Sequence, residues 1–399
     1  MRSLSSYSLG LASITLIAAC GEGSGSLLDS TPMGGSSSVS STGGAGATPG
    51  SNAGGQDASA GASTGGSTGA SSNPAGGSTS TFSTDGCTAV PINPNATQQA
   101  KNLLCYLYSV NGKNVLSGQQ ETSWNYGSSP GPSVDVEWIK TQTGKYPAVM
   151  GGDLLYPGDT AKNAPGTIDR ANNWWKAGGI TMLRYHMGAP PLEDTYDNAK
   201  NTVANLDNVI KDGTTENTSF NSKLNYAAAQ LTLLQNAGVA VLFAPLHEVQ
   251  ANGWFWWAKG TGPQFVAIWK YLYNYLTTTK GLNNLIWLLP FSGNPNSAYY
   301  PGKDFVDIAG PDTYDMTTQP FSAMYSTTRN VVGSTIPIPL HETGKIPNPD
   351  NMFPTAAPWV LFSVWCGYEN DTTKNSVAEI KAAYDSPYTI TRDEVPNLK

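Results

Sequence analysis

A chain of 399 residues with 22 Lys plus Arg against 29 Asp plus Glu carries a formal charge of −7. So few cations cannot neutralise a row of phosphates, which excludes nucleic acid as a partner. The length would hold two or three average domains, or a leader followed by a single α/β barrel of about 250 residues or more, and composition along the chain favours the second.

Arg2 precedes an apolar and small-residue run, Leu9 to Ala19. It is too short for a membrane span, which needs about 20 residues, and has the proportions of a secretory signal. The run closes in Ile17-Ala18-Ala19-Cys20, which resembles the bacterial lipobox and implies removal of residues 1–19 and lipidation of Cys20. Residues 20–85 are mostly Gly, Ser, Ala and Thr, as in Gly61-Ala62-Ser63-Thr64-Gly65-Gly66-Ser67. With almost nothing large to bury, such a segment cannot recover its ordering entropy, so it reads as a disordered tether. The expectation is an exported protein, lipid-anchored to the cell envelope or released outside the cell, that meets a membrane only through this anchor. Residues 358–366 are apolar but too few to span.

The folded part is expected over 86–399. In a compartment that permits disulfides, Cys87 with Cys105 would pin its start to the first helix; Cys105 with Cys366 is the alternative. Beyond residue 97, short β-rich apolar runs alternate with amphipathic ones, the rhythm of βα units. Eight runs are predicted as strands: Val115 to Gly118, Pro147 to Asp153, Ile180 to His186, Val239 to His247, Leu285 to Leu289, Val306 to Gly310, Ile336 to His341 and Val360 to Trp365. Helical patterns between them include Val134 to Thr143, Ile168 to Ala177, Phe220 to Asn236 and Pro263 to Thr279. Strands this apolar need cover on both faces, and eight of them suffice to close a sheet, so the predicted fold is an α/β (β/α)8 TIM barrel. An open doubly wound sheet is the rival, but no G-x-G-x-x-G turn follows the first strand.

In such barrels the chemistry sits at the C-terminal strand ends. All three histidines fall there: His186, His247 and His341. Two are followed directly by glutamate, in Pro245-Leu246-His247-Glu248 and Pro339-Leu340-His341-Glu342. Paired carboxyls at one mouth suit displacement at an acetal carbon, one protonating the leaving oxygen while the other attacks, at about 5 to 5.5 Å in retaining enzymes. Rim glutamates that cap helices or pair with Lys are the bland alternative. Arg184 and His186, two apart on one strand, share a face, and Arg184 is expected to pair with a carboxylate. Tyr314, in Gly310-Pro311-Asp312-Thr313-Tyr314-Asp315, is placed to donate to the nucleophile.

Aromatic residues crowd the same ends. Gly253-Trp254-Phe255-Trp256-Trp257 follows Glu248, and Trp124, Tyr126, Trp174, Trp175, Tyr185 and Trp365 lie near other loops or strand ends. Sugar faces stack on such rings, although each Trp taken singly reads first as core, and Trp174 and Trp175 read as helix residues covering the barrel. Other chemistries find less support. A zincin needs His where Ala251 stands, a three-histidine zinc site has no H-x-H pair, and no G-x-S-x-G elbow supplies a serine nucleophile. No metal or cofactor is expected.

Pro245-Leu246-His247-Glu248 leading into the Trp run, Gly281-Leu282-Asn283-Asn284-Leu285-Ile286-Trp287, Tyr300-Pro301-Gly302 and Val306 to Tyr314 together resemble glycoside hydrolase family 26, chiefly β-mannanases, over residues 97–370. The resemblance implies Glu248 as acid/base, Glu342 as nucleophile, His247 beside the acid, His186 and Tyr314 at the cleaved sugar, and Trp254 and Trp365 as sugar platforms. The linker Val249 to Gly253 is a residue longer than the familiar form, which leaves Trp256 as the other candidate platform. The implied partner is a β-mannan-type polysaccharide cleaved by a monomer. β-1,3-xylan, mixed-linkage β-glucan and catalytically silent glycan binding are the alternatives.

Overall fold

Strand pairing follows chain order in the computed structural model, which describes residues 82–121, 133–155, 165–203, 205–293, 295–316, 319–353 and 356–399. β1 (Val115–Leu116) leads into β2 (Gly118–Gln120), β3 (Val149–Asp153), β4 (Ile180–Tyr185), β5 (Val241–Pro245), β6 (Leu285–Ser292), β7 (Ile308–Thr313), β8 (Leu340–Thr343), β9 (Phe362–Val364) and β10 (Thr389–Ile390). β2 to β9 are each parallel to the next, and β9 returns to β2, which closes an eight-stranded barrel. The predicted signal peptide, Cys20, the tether up to residue 81, Trp124 and Tyr126 lie outside the described residues.

Helices Asp135–Thr143, Pro165–Lys176, Thr215–Asn236, Gly262–Asn274, Ser322–Val332 and Val377–Asp385 alternate with the strands. Their ends are chemically marked. Thr214 accepts from the Asn217 N–H, Thr261 and Gln264 form a capping box with Pro at the first turn, and Gly144 closes a helix at φ 75°. Every residue of β4 and β5 is buried, as expected of strands covered on both faces. Trp174 and Trp175 are buried in the helix layer, as predicted.

Several boundaries differ from those predicted, each for a local physical reason. The first predicted run divides at Ser117, so that Val115–Leu116 pairs with Thr389–Ile390 and the barrel strand begins only at Gly118. A Cβ at Gly118 would stand 2.4 Å from the Phe362 carbonyl, so barrel closure here requires glycine. β8 starts at Leu340 rather than Ile336, because Pro337 and Pro339 bring no N–H to a ladder. β7 runs on to Thr313, which places Asp312 inside the strand. The terminal segment is tied down by the Cys87–Cys105 disulfide, with Cα atoms 5.8 Å apart, so the Cys105–Cys366 alternative is wrong. No helix among the described residues is long and apolar enough to cross a membrane.

Candidate active site

Glu342 owes its setting to an irregularity in β8. Three steps from Leu340 to Thr343 face two from Phe362 to Val364, so β8 carries an extra residue. The bulge lets the consecutive His341 and Glu342 both find partners in the barrel mouth. Arg184, at the end of β4, donates from Nη1 to Glu342 Oε2, and the Tyr314 hydroxyl donates to Oε1. Arg184 and Glu342 are both almost wholly buried, and the Arg184 guanidinium lies 4.4 Å from the centre of the Trp365 ring. Two charge-assisted donors on separate oxygens fix the orientation of this carboxylate.

Glu248 is set by a different distortion. Six steps along the chain from Phe243 to Val249 face four from Trp287 to Phe291 on β6. Leu246–His247–Glu248 absorbs the excess, with Leu246 at φ 49° and Glu248 at φ 54°. This left-handed region costs a non-glycine residue about 1 kcal/mol or more, and Val249 rejoins β6 directly afterwards through bonds with Pro290 and Ser292, 3.2 Å each. Burial, then the charge of Glu342, push the Glu248 carboxyl up to about 8, against the opposing pull of Trp254 and Arg184. The two glutamates therefore sit in opposed environments at one mouth, one supplied with donors and one desolvated.

The three histidines do gather. His186 and His247 meet edge to face at 4.3 Å between ring centres, and His247 and His341 lie 6.3 Å apart. Burial, reinforced by nearby cationic groups, keeps His247 and His341 well below the usual imidazole range, so both are neutral. Two of the three rings also meet an aspartate that no local motif announces. His186 Nδ1 meets Asp153 Oδ2, and His341 Nδ1 meets Asp312 Oδ1 at 2.6 Å. Burial would raise Asp153, but His186, Arg184 and the Leu155 N–H outweigh it and hold it low. Asp312 goes the other way, raised by burial and by Glu342 and Glu248, so its bond to neutral His341 favours uncharged partners on both sides.

The aromatic run after Glu248 divides by burial. Trp256 and Trp257 are fully buried, and their indole N–H groups donate to the carbonyls of Met187 (2.9 Å) and His247 (2.8 Å), clamping the loops after β4 and β5. Trp256 is therefore no platform. Trp254 is 39 % exposed and donates from Nε1 to Glu248 Oε2. Trp365 is 9 % exposed behind Arg184.

Tyr196 was not anticipated. Its ring packs on His186 (5.2 Å) and Phe255 (6.4 Å), half-exposed at the mouth, and its hydroxyl is pushed up to about 12 by burial and by Glu248 and Glu342. The loop bearing it is built around Asp194, which accepts from Tyr185, Lys223 and the Gly188 N–H. As for a metal, Asp312, His341 and Glu342 offer one atom each within 4.8 Å of one another. Arg184 and Tyr314 already hold both oxygens of that glutamate, and a guanidinium beside it opposes a second cation.

A parallel eight-stranded barrel with glutamates at its fourth and seventh strand ends has the design of a two-carboxylate glycosidase. Residues 92–394 match the family model for glycosyl hydrolase family 26, and the chain belongs to that family. A mannan endo-1,4-beta-mannosidase of Thermothelomyces thermophilus is 33 % identical over 317 residues, 76 % of this chain and 62 % of that protein. Mannan endo-1,4-beta-mannosidase A of a Piromyces species is 30 % identical over 316 residues, 77 % and 50 % of the two chains. This chain thus spans between half and two thirds of those relatives. The crystal structure of a ruminal family 26 endo-beta-1,4-mannanase superposes with a TM-score of 0.70 at 31 % identity, covering 78 % of this chain and 71 % of that one.

Proposed function

We propose that this protein is a retaining, endo-acting β-1,4-mannanase in which Glu342 is the nucleophile and Glu248 the acid/base. The observation behind the assignment is the contrast between the two carboxyls: Glu342 receives Arg184 and Tyr314, while Glu248 is buried and holds its proton up to about pH 8. In the first step a Glu342 oxygen attacks the anomeric carbon, the glycosidic C–O bond breaks, and the Glu248 proton passes to the leaving oxygen. In the second, ionised Glu248 takes a proton from water, whose oxygen bonds to the anomeric carbon as the ester to Glu342 breaks. His186, His247, Trp254 and Trp365 line the cleft as substrate contacts.

Mannan as substrate rests on the names of the relatives and on the aromatic mouth, and cleavage of β-1,3-xylan or mixed-linkage β-glucan by the same steps is the second reading. Added azide should give a β-glycosyl azide with Glu248→Ala and an α-glycosyl azide with Glu342→Ala; near-normal rates in both variants would refute the assignment. Sugar release from mannan, xylan and β-glucan, measured side by side, tests the substrate. Lipidation at Cys20 is part of the same proposal, and loss of detergent-phase partitioning in Cys20→Ser, with retained activity, is its expected signature; unchanged partitioning would overturn it.

A further inference from the structure

Trp254 combines two properties that sugar stacking alone does not require. It is the exposed member of its aromatic run, yet its ring nitrogen is committed to Glu248, and no other donor among the described residues bonds that carboxyl. Stacking uses the face of a ring and would be served by Phe or Tyr. An N–H aimed at a carboxyl does something else: it fixes the group's orientation and stabilises the ionised form.

The intervening backbone presets the contact. Glu248 and Asn252, at either side of the short connection, are both left-handed, at φ 54° and φ 56°. Val249 is pinned to β6 on both sides. A Cβ on Gly253 would stand 2.6 Å from the Ala258 Cβ, so the chain enters Trp254 packed directly on the turn Trp256–Ala258, which the two buried indoles anchor. Trp254 is thus carried on a fixed arm.

We propose that Trp254 is a positioning residue for the acid/base: its indole N–H orients the Glu248 carboxyl and keeps its proton transferable near neutral pH. The groups acting on Glu248 make such a counterweight necessary. Glu342 on β8 opposes its ionisation; Arg184 on β4 favours it but is committed to Glu342; Asp312 on β7, Tyr314 just after it and Tyr196 from the loop after β4 all respond to its charge. Burial drives the carboxyl toward holding its proton too tightly, and a general acid works best when its pKa lies near the operating pH. The inference rests on the acid/base role of Glu248 given above.

Trp254→Phe keeps a ring and removes the N–H. The expected result is that the basic limb of kcat/KM moves up by about half to one pH unit, with a several-fold loss of kcat and little change in KM. A raised KM with an unmoved limb would reduce Trp254 to a stacking surface and overturn the proposal. The profile is taken on whichever β-glycan the wild type cleaves, so failure on mannan touches the substrate and not this inference. Titration of the Glu248 side-chain carbon by 13C NMR reads the same shift without turnover; an identical titration in both proteins would overturn the proposal, and an inactive wild type would instead fault the two-step reading.

Discussion

Glu248 should destabilise the fold it serves, and by an amount that depends on pH. Raising a buried carboxyl from 4.5 to about 8 means that the folded protein keeps a proton the unfolded chain releases anywhere between those values. Stability therefore falls as pH rises through that window; the penalty is absent below about 4.5 and complete above about 8, where it amounts to roughly 5 kcal/mol. Glu248→Gln retains the shape and the acceptor oxygen for the Trp254 N–H but never ionises. Urea unfolding of both proteins from pH 4.5 to 9 should show little difference at the acid end and a growing advantage for the inactive variant toward pH 9. Groups remote from the mouth titrate alike in both proteins and cancel in the difference, whereas the part of the Asp312 shift that Glu248 causes disappears with it. A stability difference that does not vary with pH would refute the view of Glu248 as a desolvated acid.

Tyr314→Phe removes the hydroxyl on Glu342 Oε1 and should lower kcat/KM about ten- to a hundredfold, the worth of a hydrogen bond to a charged group; a change under about twofold would assign Tyr314 to packing. Replacing Cys87 and Cys105 by Ser opens a loop with a sequence separation of 18, and the urea midpoint should fall by the equivalent of about 3 kcal/mol with activity at 25 °C retained; an unchanged midpoint would show that the terminal segment folds independently of the bond. Tyr196→Ala should raise KM on oligosaccharides about tenfold, as loss of a ring and hydroxyl contact predicts, and unaltered kinetics would remove Tyr196 from the substrate path.

The barrel and its two glutamates were legible because each strand is a short apolar run and the site residues stand at the end of it, as in Pro245-Leu246-His247-Glu248. Arg184 and His186 were legible for the same reason, since alternation puts them on one face. The indoles of Trp254, Trp256 and Trp257 look alike in sequence, and only the loops that bury the last two separate a surface ring from a clamp. Asp153 and Asp312 gave no signal as histidine partners, because the pairing runs between neighbouring strands. Register-dependent distortions were equally hidden: the bulge at Glu342 and the left-handed turn at Glu248 exist only relative to the strands beside them. Tyr196 reaches the mouth on a long loop whose course no local pattern fixes.

The central claim is that two glutamates act in sequence on one sugar carbon with net retention. Proton NMR of the first reducing ends released from β-1,4-mannan oligosaccharides tests it most directly. The β-anomer should appear first and mutarotate to the equilibrium mixture; α-anomer as the first product would contradict the two-step mechanism and with it the roles given to Glu342 and Glu248.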